Sequence, residues 1–247
     1  MKRFLAVLAF LLTLAFNAGT AQAMTDTGEA YVEPTFEELT QTSLVLGGID
    51  INKPEVAEEY LKMMYCNTYR QIYKDDFMVH KITQQIALKF NTKKEYPRTL
   101  FQVVGKLTLG KYDFTNMEFP FLNKDDYTNV GSVSLLVWTD VKPYCISKTG
   151  EWGRKNVFPT SINVVLSQPL NIVSLKASEG EARKILDMME RMGNSKRDVY
   201  VRFRVRVQAL YTGPRSSADR VDFGGNMVSV DLFYDKELTM WLTSLPL

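Results

Sequence analysis

The chain has 247 residues, with 30 Lys+Arg against 28 Asp+Glu, 45% apolar residues, two cysteines and a single histidine. So balanced a charge removes any global pull toward nucleic acid or anionic lipid, and the apolar share is that of a globular protein, not of a disordered one. One histidine excludes two-His and three-His zinc sites within one chain.

Lys2 and Arg3 precede an apolar run from Phe4 to Phe16 broken only by Thr13, and Ala21-Gln22-Ala23 closes it with small residues. This is the layout of a secretory signal peptide over residues 1–23. The run of about a dozen residues falls short of the roughly 20 that a spanning helix needs. An uncleaved anchor or a buried core helix is the alternative. Cleavage after Ala23 starts the mature chain at Met24, leaves 28 residues of each charge, and places the product in the periplasm or outside the cell. No later segment reads as a membrane span.

Residues 24–33 are polar and acidic and read as a flexible mature N-terminus. Residues 34–97 read as helical. Phe36, Leu39, Ser43 and Leu46 share a face of a short helix that Gly47-Gly48 stops. A second helix starts near Asn52, with Pro54 in its first turn and Glu55, Glu58 and Glu59 at the positive end of its dipole. Met63, Cys66, Tyr69 or Arg70, Tyr73 and Phe77 form an amphipathic stripe. After a bend at Asp75-Asp76 the face continues through Ile82, Ile86 and Phe90, bounded by Asn91 and Pro97.

Residues 98–247 read as strand-rich. LFQVVGKLTLGKYDF is β-like, with Gly105 and Gly110 as bulge or turn points. Asn123 to Gly131 is a polar loop, Val133 to Val141 a strand, and Ser161 to Leu166 and Asn171 to Leu175 two shorter strands around Pro169. Ser178 to Met192 is a helix opened by a capping box, Ser178 with Glu181, and ended by Gly193. In VYVRFRVRVQALY, Val201, Phe203, Val205 and Val207 alternate with Arg202, Arg204 and Arg206, the period of a half-buried strand. After a turn at Gly213-Pro214, MVSVDLFYD alternates again and completes an antiparallel hairpin, with Asp231 and Asp235 on the arginine side. The expected class is α+β: a largely antiparallel sheet in the C-terminal half, packed with the N-terminal helices and one later helix, residues 34–247 forming one domain.

Few residues point to chemistry. In an oxidising compartment Cys66 and Cys145 are candidates for one disulfide, closing a loop of roughly 80 residues; two buried unpaired thiols are the alternative. A Cys66–His80 dyad is disfavoured, because fourteen residues of straight helix separate the pair by about 21 Å. The acidic pairs Glu37-Glu38, Glu58-Glu59, Asp75-Asp76 and Asp125-Asp126 are neighbours in sequence and do not face each other as an acid/base pair. Asn123, Asp125, Asp126 and Asn129 lack the Gly and Glu spacing of a calcium loop, and read as turn residues. Gly224-Gly225 reads as a turn and not as a phosphate loop. No metal or cofactor motif stands out. The ladder Arg202, Arg204, Arg206 has two readings: a ligand site for an anionic polymer or carboxylate, or a structural ladder paired with acids on the facing strand. Tyr65, Tyr69, Tyr73 and Trp152 are candidates to line a groove or to fill the core.

LTLGKYDF, Leu107 to Phe114, followed by Phe119-Pro120, and SVDLFYDKEL, Ser229 to Leu238, resemble an exported bacterial family of unknown function. Its members pair a signal peptide with a helical first half, an LGxYDF-like segment and a final LYxD-like strand. Tyr112, Asp113 and Phe114 match the first motif; Leu232, Tyr234 and Asp235 match the second, with Phe233 inserted. The resemblance implies export and no assigned activity, and carries over no catalytic residue. The expectation is a non-enzymatic binding or interaction module of the bacterial envelope, its partner an unknown envelope protein or ligand. The rivals are an envelope-acting hydrolase using a carboxylate pair and a homo-oligomeric structural subunit.

Overall fold

The computed structural model describes residues 30–93, 99–137, 146–147, 150–151, 158, 161–211 and 220–247. The leader expected over 1–23, Cys145, Trp152 and the Gly213-Pro214 turn lie outside the described residues.

Five helices form: α1 Phe36–Val45, α2 Pro54–Met64, α3 Cys66–Ile72, α4 Asp76–Lys93 and α5 Glu179–Arg191. The Thr35 side chain caps α1 by accepting from the Glu38 N–H. At its other end Gly47 takes φ +79°, a conformation costly for other residues. That lets the Gly48 N–H donate to Ser43 O at 2.7 Å and the Gly47 N–H to Leu44 O at 3.3 Å, which satisfies two terminal carbonyls. The capping box of α5 forms as expected, Ser178 accepting from the Glu181 N–H while the Glu181 side chain accepts from the Ser178 N–H. Ala182, Ile185 and Met189 are its buried stripe.

The stripe expected from Met63 to Phe77 is not one helix face. Tyr65 sits at φ −129°, ψ 45° and separates α2 from α3. Phe77 is 89% exposed. Of the expected positions, Tyr69 of α3 and Ile86 and Phe90 of α4 are buried, and Val56, Ala57, Tyr60 and Leu61 of α2, outside the expected stripe, join them. They gather around Tyr60, whose ring meets that of Phe90 edge-on with centroids 5.0 Å apart. The first helices therefore pack chiefly on one another, and only part of the expected helix cover reaches the sheet. α1 links the two regions: Phe36 and Leu44 belong to the helical core, Leu39 to the core under the sheet.

The strands are β1 Leu100–Thr108, β2 Glu118–Pro120, β3 Val130–Val137, β4 Ile146–Ser147, β5 Gly150–Glu151, β6 Ser161–Leu170, β7 Ser174–Lys176, β8 Asp198–Leu210, β9 Arg220–Phe233 and β10 Trp241–Leu245. The main sheet runs β1-β8-β9-β6-β3, with β10 added to β9. The β8–β9 hairpin is antiparallel, as the alternation predicts. The fold is α+β, but the sheet is mixed, because β6 and β9 pair in parallel. Its core face carries Val199, Val201, Phe203, Val205 and Val207 of β8 against Phe101, Leu107, Val230, Leu232 and α5.

No helix among the described residues is long and apolar enough to cross a membrane. Residues 30–33, expected within the flexible start, are tied down: the Val32 N–H donates to Leu100 O at 3.1 Å, its carbonyl accepts from the Gln102 N–H at 2.9 Å, and Tyr31 is 5% exposed.

Gly224-Gly225 is not a turn; both residues lie inside β9. A Cβ on Gly225 would collide with the Arg206 carbonyl oxygen and come within 2.8 Å of Val164 Cγ1. β8 slips register here, between Val207 and Ala209, which brings that backbone inward. Gly225→Ala is therefore expected to cost about 2 kcal/mol in urea denaturation through overpacking. Gly131→Ala in β3, with nothing within 4 Å of its Cβ, is expected to stay within about 0.5 kcal/mol of the parent.

Candidate functional site

The β8–β9 register sets Arg202 opposite Asp231, Arg204 opposite Ser229 and Arg206 opposite Asn226. Arg202 donates to Asp231 Oδ2 from Nε at 3.3 Å and from Nη2 at 3.0 Å, and its guanidinium carbon stands 4.8 Å from the centre of the Phe233 ring. Arg204 brings Nη1 to 3.9 Å from the same carboxylate oxygen and stacks on Tyr31 at 5.0 Å. Ser244 Oγ donates to Asp231 Oδ1 at 2.6 Å, and Ser229 Oγ to Oδ2 at 3.3 Å. The arginine side of β8 thus carries the acid on the facing strand that the alternation offered at Asp231, but it is not open to solvent at these positions. Arg202 and Arg204 are 6% and 1% exposed, since Tyr31 and Phe233 supply ring faces that desolvate the guanidiniums while attracting their charge. Arg206, one repeat farther along, is half-buried.

A cleft of about 550 Å³ opens on this cluster, lined among others by Arg202, Arg204, Ser229, Asp231, Trp241 and Ser244. Its cause is an interruption in β9's outer edge. β6 pairs with β9 only as far as Gly225, and β10 pairs from Phe233 back to Val230. Beyond Leu245 comes Pro246, which has no N–H to carry the ladder on. Among the described residues no strand covers the outer edge of β9 from Asn226 to Ser229. A second cleft of about 400 Å³ lies on the β6 side, between Ser167–Asn171 and Asn226-Met227, and Leu247 lines both. Leu247 thus stands between the two clefts.

Sequence reasoning missed Trp241, Ser244 and Tyr31. Trp241 stands at the rim, 56% exposed; an aromatic just past an acidic turn in LTMWLTSL was its only signal. Asp235, expected beside Asp231 as an arginine partner, instead closes the turn into β10. It accepts from the Thr239 and Met240 N–H groups at 3.0 and 2.7 Å, and so positions Trp241.

The other expected residues fall elsewhere. His80 is exposed on α4, bonded to Gln84 at 2.9 Å. Cys66 opens α3, half-buried, while its intended partner Cys145 lies outside the described residues. Tyr69 donates to Glu58 at 2.7 Å inside the helical core, whereas Tyr65 and Tyr73 are each 41% exposed. Glu58 also pairs with Lys62, and Glu37 with Lys89. Asn123 serves the backbone, accepting from the Thr108 N–H and donating to Lys106 O. Among the described residues no group of three or more His, Cys, Asp or Glu is placed to hold a metal ion.

Tyr112, Asp113 and Phe114 build a turn. Tyr112 donates to Ala177 O at 2.8 Å, and Asp113 Oδ1 accepts from the Thr115 and Asn116 N–H groups at 2.8 and 3.1 Å. The Asn116 and Thr115 donors hold the Asp113 carboxyl below its ordinary value. Lys176 and Ser174 do the same for Glu118, and Ser178 for Glu181. That direction suits a stabilised carboxylate and is opposite to what a general acid needs.

Two outcomes follow from these contacts. Asp231→Ala leaves a buried guanidinium without its carboxylate and is expected to cost about 3–5 kcal/mol in denaturant unfolding; the apolar double variant Arg202→Met/Asp231→Leu should be more stable than that single variant. Because the Asp113 value is depressed, its turn is intact above the ordinary 3.8 and opens as pH falls through the lower folded value. The Thr115 and Asn116 amide resonances should stay flat from neutral pH down to about 4 and move only below it.

No curated protein and no solved structure matches the chain. One family does, over residues 53–188, from the start of α2 into α5, so that β8, β9 and β10 with the arginine cleft lie beyond the matched span. That span is more than half of the sequence, and the chain belongs to the family described as a domain of unknown function, DUF4852.

Proposed function

We propose that this chain is an exported, non-enzymatic binding module of the bacterial envelope, and that its ligand is an extended segment carrying negative charge, held in the groove along β9. The observation that carries this reading is the groove itself: an interrupted strand edge with Arg202 and Arg204 in its wall and Trp241 at its rim. A preorganised guanidinium loses little entropy on meeting an anion, and an exposed indole adds apolar area beside it. A hydrolase working by a carboxylate pair has less support at this place, since Asp231 is committed to Arg202, Ser229 and Ser244.

Export is supported by the layout of residues 1–23, and the Cys66–Cys145 bridge belongs to the same reading: Cys66 is engaged rather than free, and Cys145 is the other cysteine of the chain. The intact, non-reduced mass of the native product tests both points. A species beginning at Met24 and lacking the mass of two thiol hydrogens is expected; retention of the leader overturns the compartment.

For the groove, fluorescence anisotropy of a labelled Glu-rich decapeptide is compared with that of a Lys-rich one. The acidic peptide should bind, more weakly as salt rises, and Trp241→Ala should weaken it about tenfold while leaving the circular dichroism unchanged. Equal binding of the two peptides, or binding indifferent to Trp241, removes the groove from the account.

A further inference from the structure

We infer that the hairpin over residues 112–118 is a docking finger for a second copy of this chain: Phe114 and Met117 at its tip seat in the cleft between α5 and β10 of the other copy, and the same contact is made in return.

The finger is built to hold its shape. Asp113 and Glu118 exchange both backbone hydrogen bonds, at 2.8 and 3.2 Å, and the Asp113 carboxylate fastens the Thr115 and Asn116 N–H groups inside the loop. A turn needed only to reverse the chain would carry polar residues at its tip. This one carries Phe114, 73% exposed, and Met117, 58% exposed. Met117 stands at φ +50°, a conformation that glycine or asparagine takes more readily. Aromatic and methionine side chains are the types enriched where proteins meet one another.

The receiving cleft begins where the finger is tied down. Ala177 donates its N–H to Met117 O at 3.0 Å, and its carbonyl accepts from the Tyr112 hydroxyl at 2.8 Å. Ala177 also stands in the wall of a cleft of about 220 Å³, with Leu175, Ile185, Tyr234 and Leu242. An apolar cavity of about 150 Å³ accepts a benzene ring, so the cleft has room for the Phe114 ring. Phe114 of the same chain does not fill it: its ring meets that of Tyr112 edge-on at 5.0 Å and stays in water.

A knob beside its hole is what a two-fold contact requires, since each copy then gives and receives the same element. Charge selects a second copy over a partner of single sign. Exposed Lys111, Lys176 and Lys184 stand among Asp113 and Glu118 of the finger and Glu181 of the first turn of α5. A patch of mixed sign meets opposite charge when turned onto itself, whereas a surface of one sign meets repulsion there. None of this rests on the groove along β9.

The test uses the mature chain beginning at Met24, in sedimentation velocity over a concentration series, with circular dichroism on every variant. The parent should reach twice the mass of the chain. Phe114→Asp, at an exposed position, should keep the spectrum and weaken the dimer at least about hundredfold. Thr243→Trp, which fills the cleft and leaves the finger intact, should weaken it as well. A chain with Phe114→p-benzoylphenylalanine should cross-link, on illumination, to α5 or β10 of its neighbour. A parent that stays monomeric, or a dimer indifferent to Phe114→Asp, overturns the proposal. A dimer that survives Thr243→Trp, or cross-links that fall elsewhere, overturns the cleft as the receiving site; should Thr243→Trp lose its fold, the cross-link position decides.

Discussion

A guanidinium keeps its proton under all ordinary conditions, so a strand that buries arginine has to bring the compensating groups with it. β8 buries two. Asp231 answers with one carboxylate that accepts from Arg202 twice and from Ser229 and Ser244 once each, while Phe233 and Tyr31 provide the ring faces. The pairing has a consequence beyond its own energy. A one-residue slip between β8 and β9 would turn Asp231 into the apolar core and leave Arg202 facing a valine or a leucine, so the register of the hairpin is set by charge as well as by hydrophobic alternation. β9 is the strand that β6 and β10 both join, and its register decides theirs.

The groove follows from this topology. One edge of β9 is taken by β8, and the other has to serve a parallel strand arriving from one side and an antiparallel strand arriving from the other. Two ladders of opposite sense cannot merge on one edge without a break, and the break falls at Asn226 to Ser229. Gly225 stands where the parallel ladder ends, because Val164 and the Arg206 backbone leave no room for a side chain. Proline then guards the opening from both sides, Pro169 within β6 and Pro246 after β10, a composition that discourages pairing with a stray strand. On the proposed reading, a ligand in the groove is therefore selected by side-chain chemistry, that of Arg202, Arg204 and Trp241, more than by backbone hydrogen bonds.

Much of this was legible in the sequence wherever the signal was local. Ser178 with Glu181, Gly193, Pro54 and Gly47-Gly48 act through their immediate neighbours, and each sits where the pattern placed it. The period of β8 and its acidic partner Asp231 were legible for the same reason. Exposure was not. Whether Arg204 meets water or a ring depends on Tyr31, 173 positions away in the chain, and alternation carries no information about that. The Met63–Phe77 stripe shows the converse failure: three-and-four spacing persists across Tyr65, but the backbone turns there, so positions that share a face on paper diverge in space. Gly224-Gly225 looked like a turn because paired glycines relax the backbone; here Gly225 is needed for the space it leaves empty. The parallel β6–β9 join had no local signal at all.

The family match and the cleft divide the chain differently, and the division has a physical meaning. Residues 53–188 hold α2, α3, α4, most of the helical core and the Tyr112-Asp113-Phe114 turn, which is tied to Ala177 just ahead of α5, together with β1, whose ladder runs to β8 beyond the matched span. The cleft depends on Tyr31 near the start of the described chain, on the β8–β9 hairpin, and on Ser244 near its end. These contacts span most of the sequence, and loop-closure entropy must be met before any of them contributes. The arginine cluster is thus complete only once both ends of the described chain are in place. On the proposed export route it is assembled after translocation, when Tyr31 and β10 close on a hairpin whose two buried charges already have Asp231 to hold them.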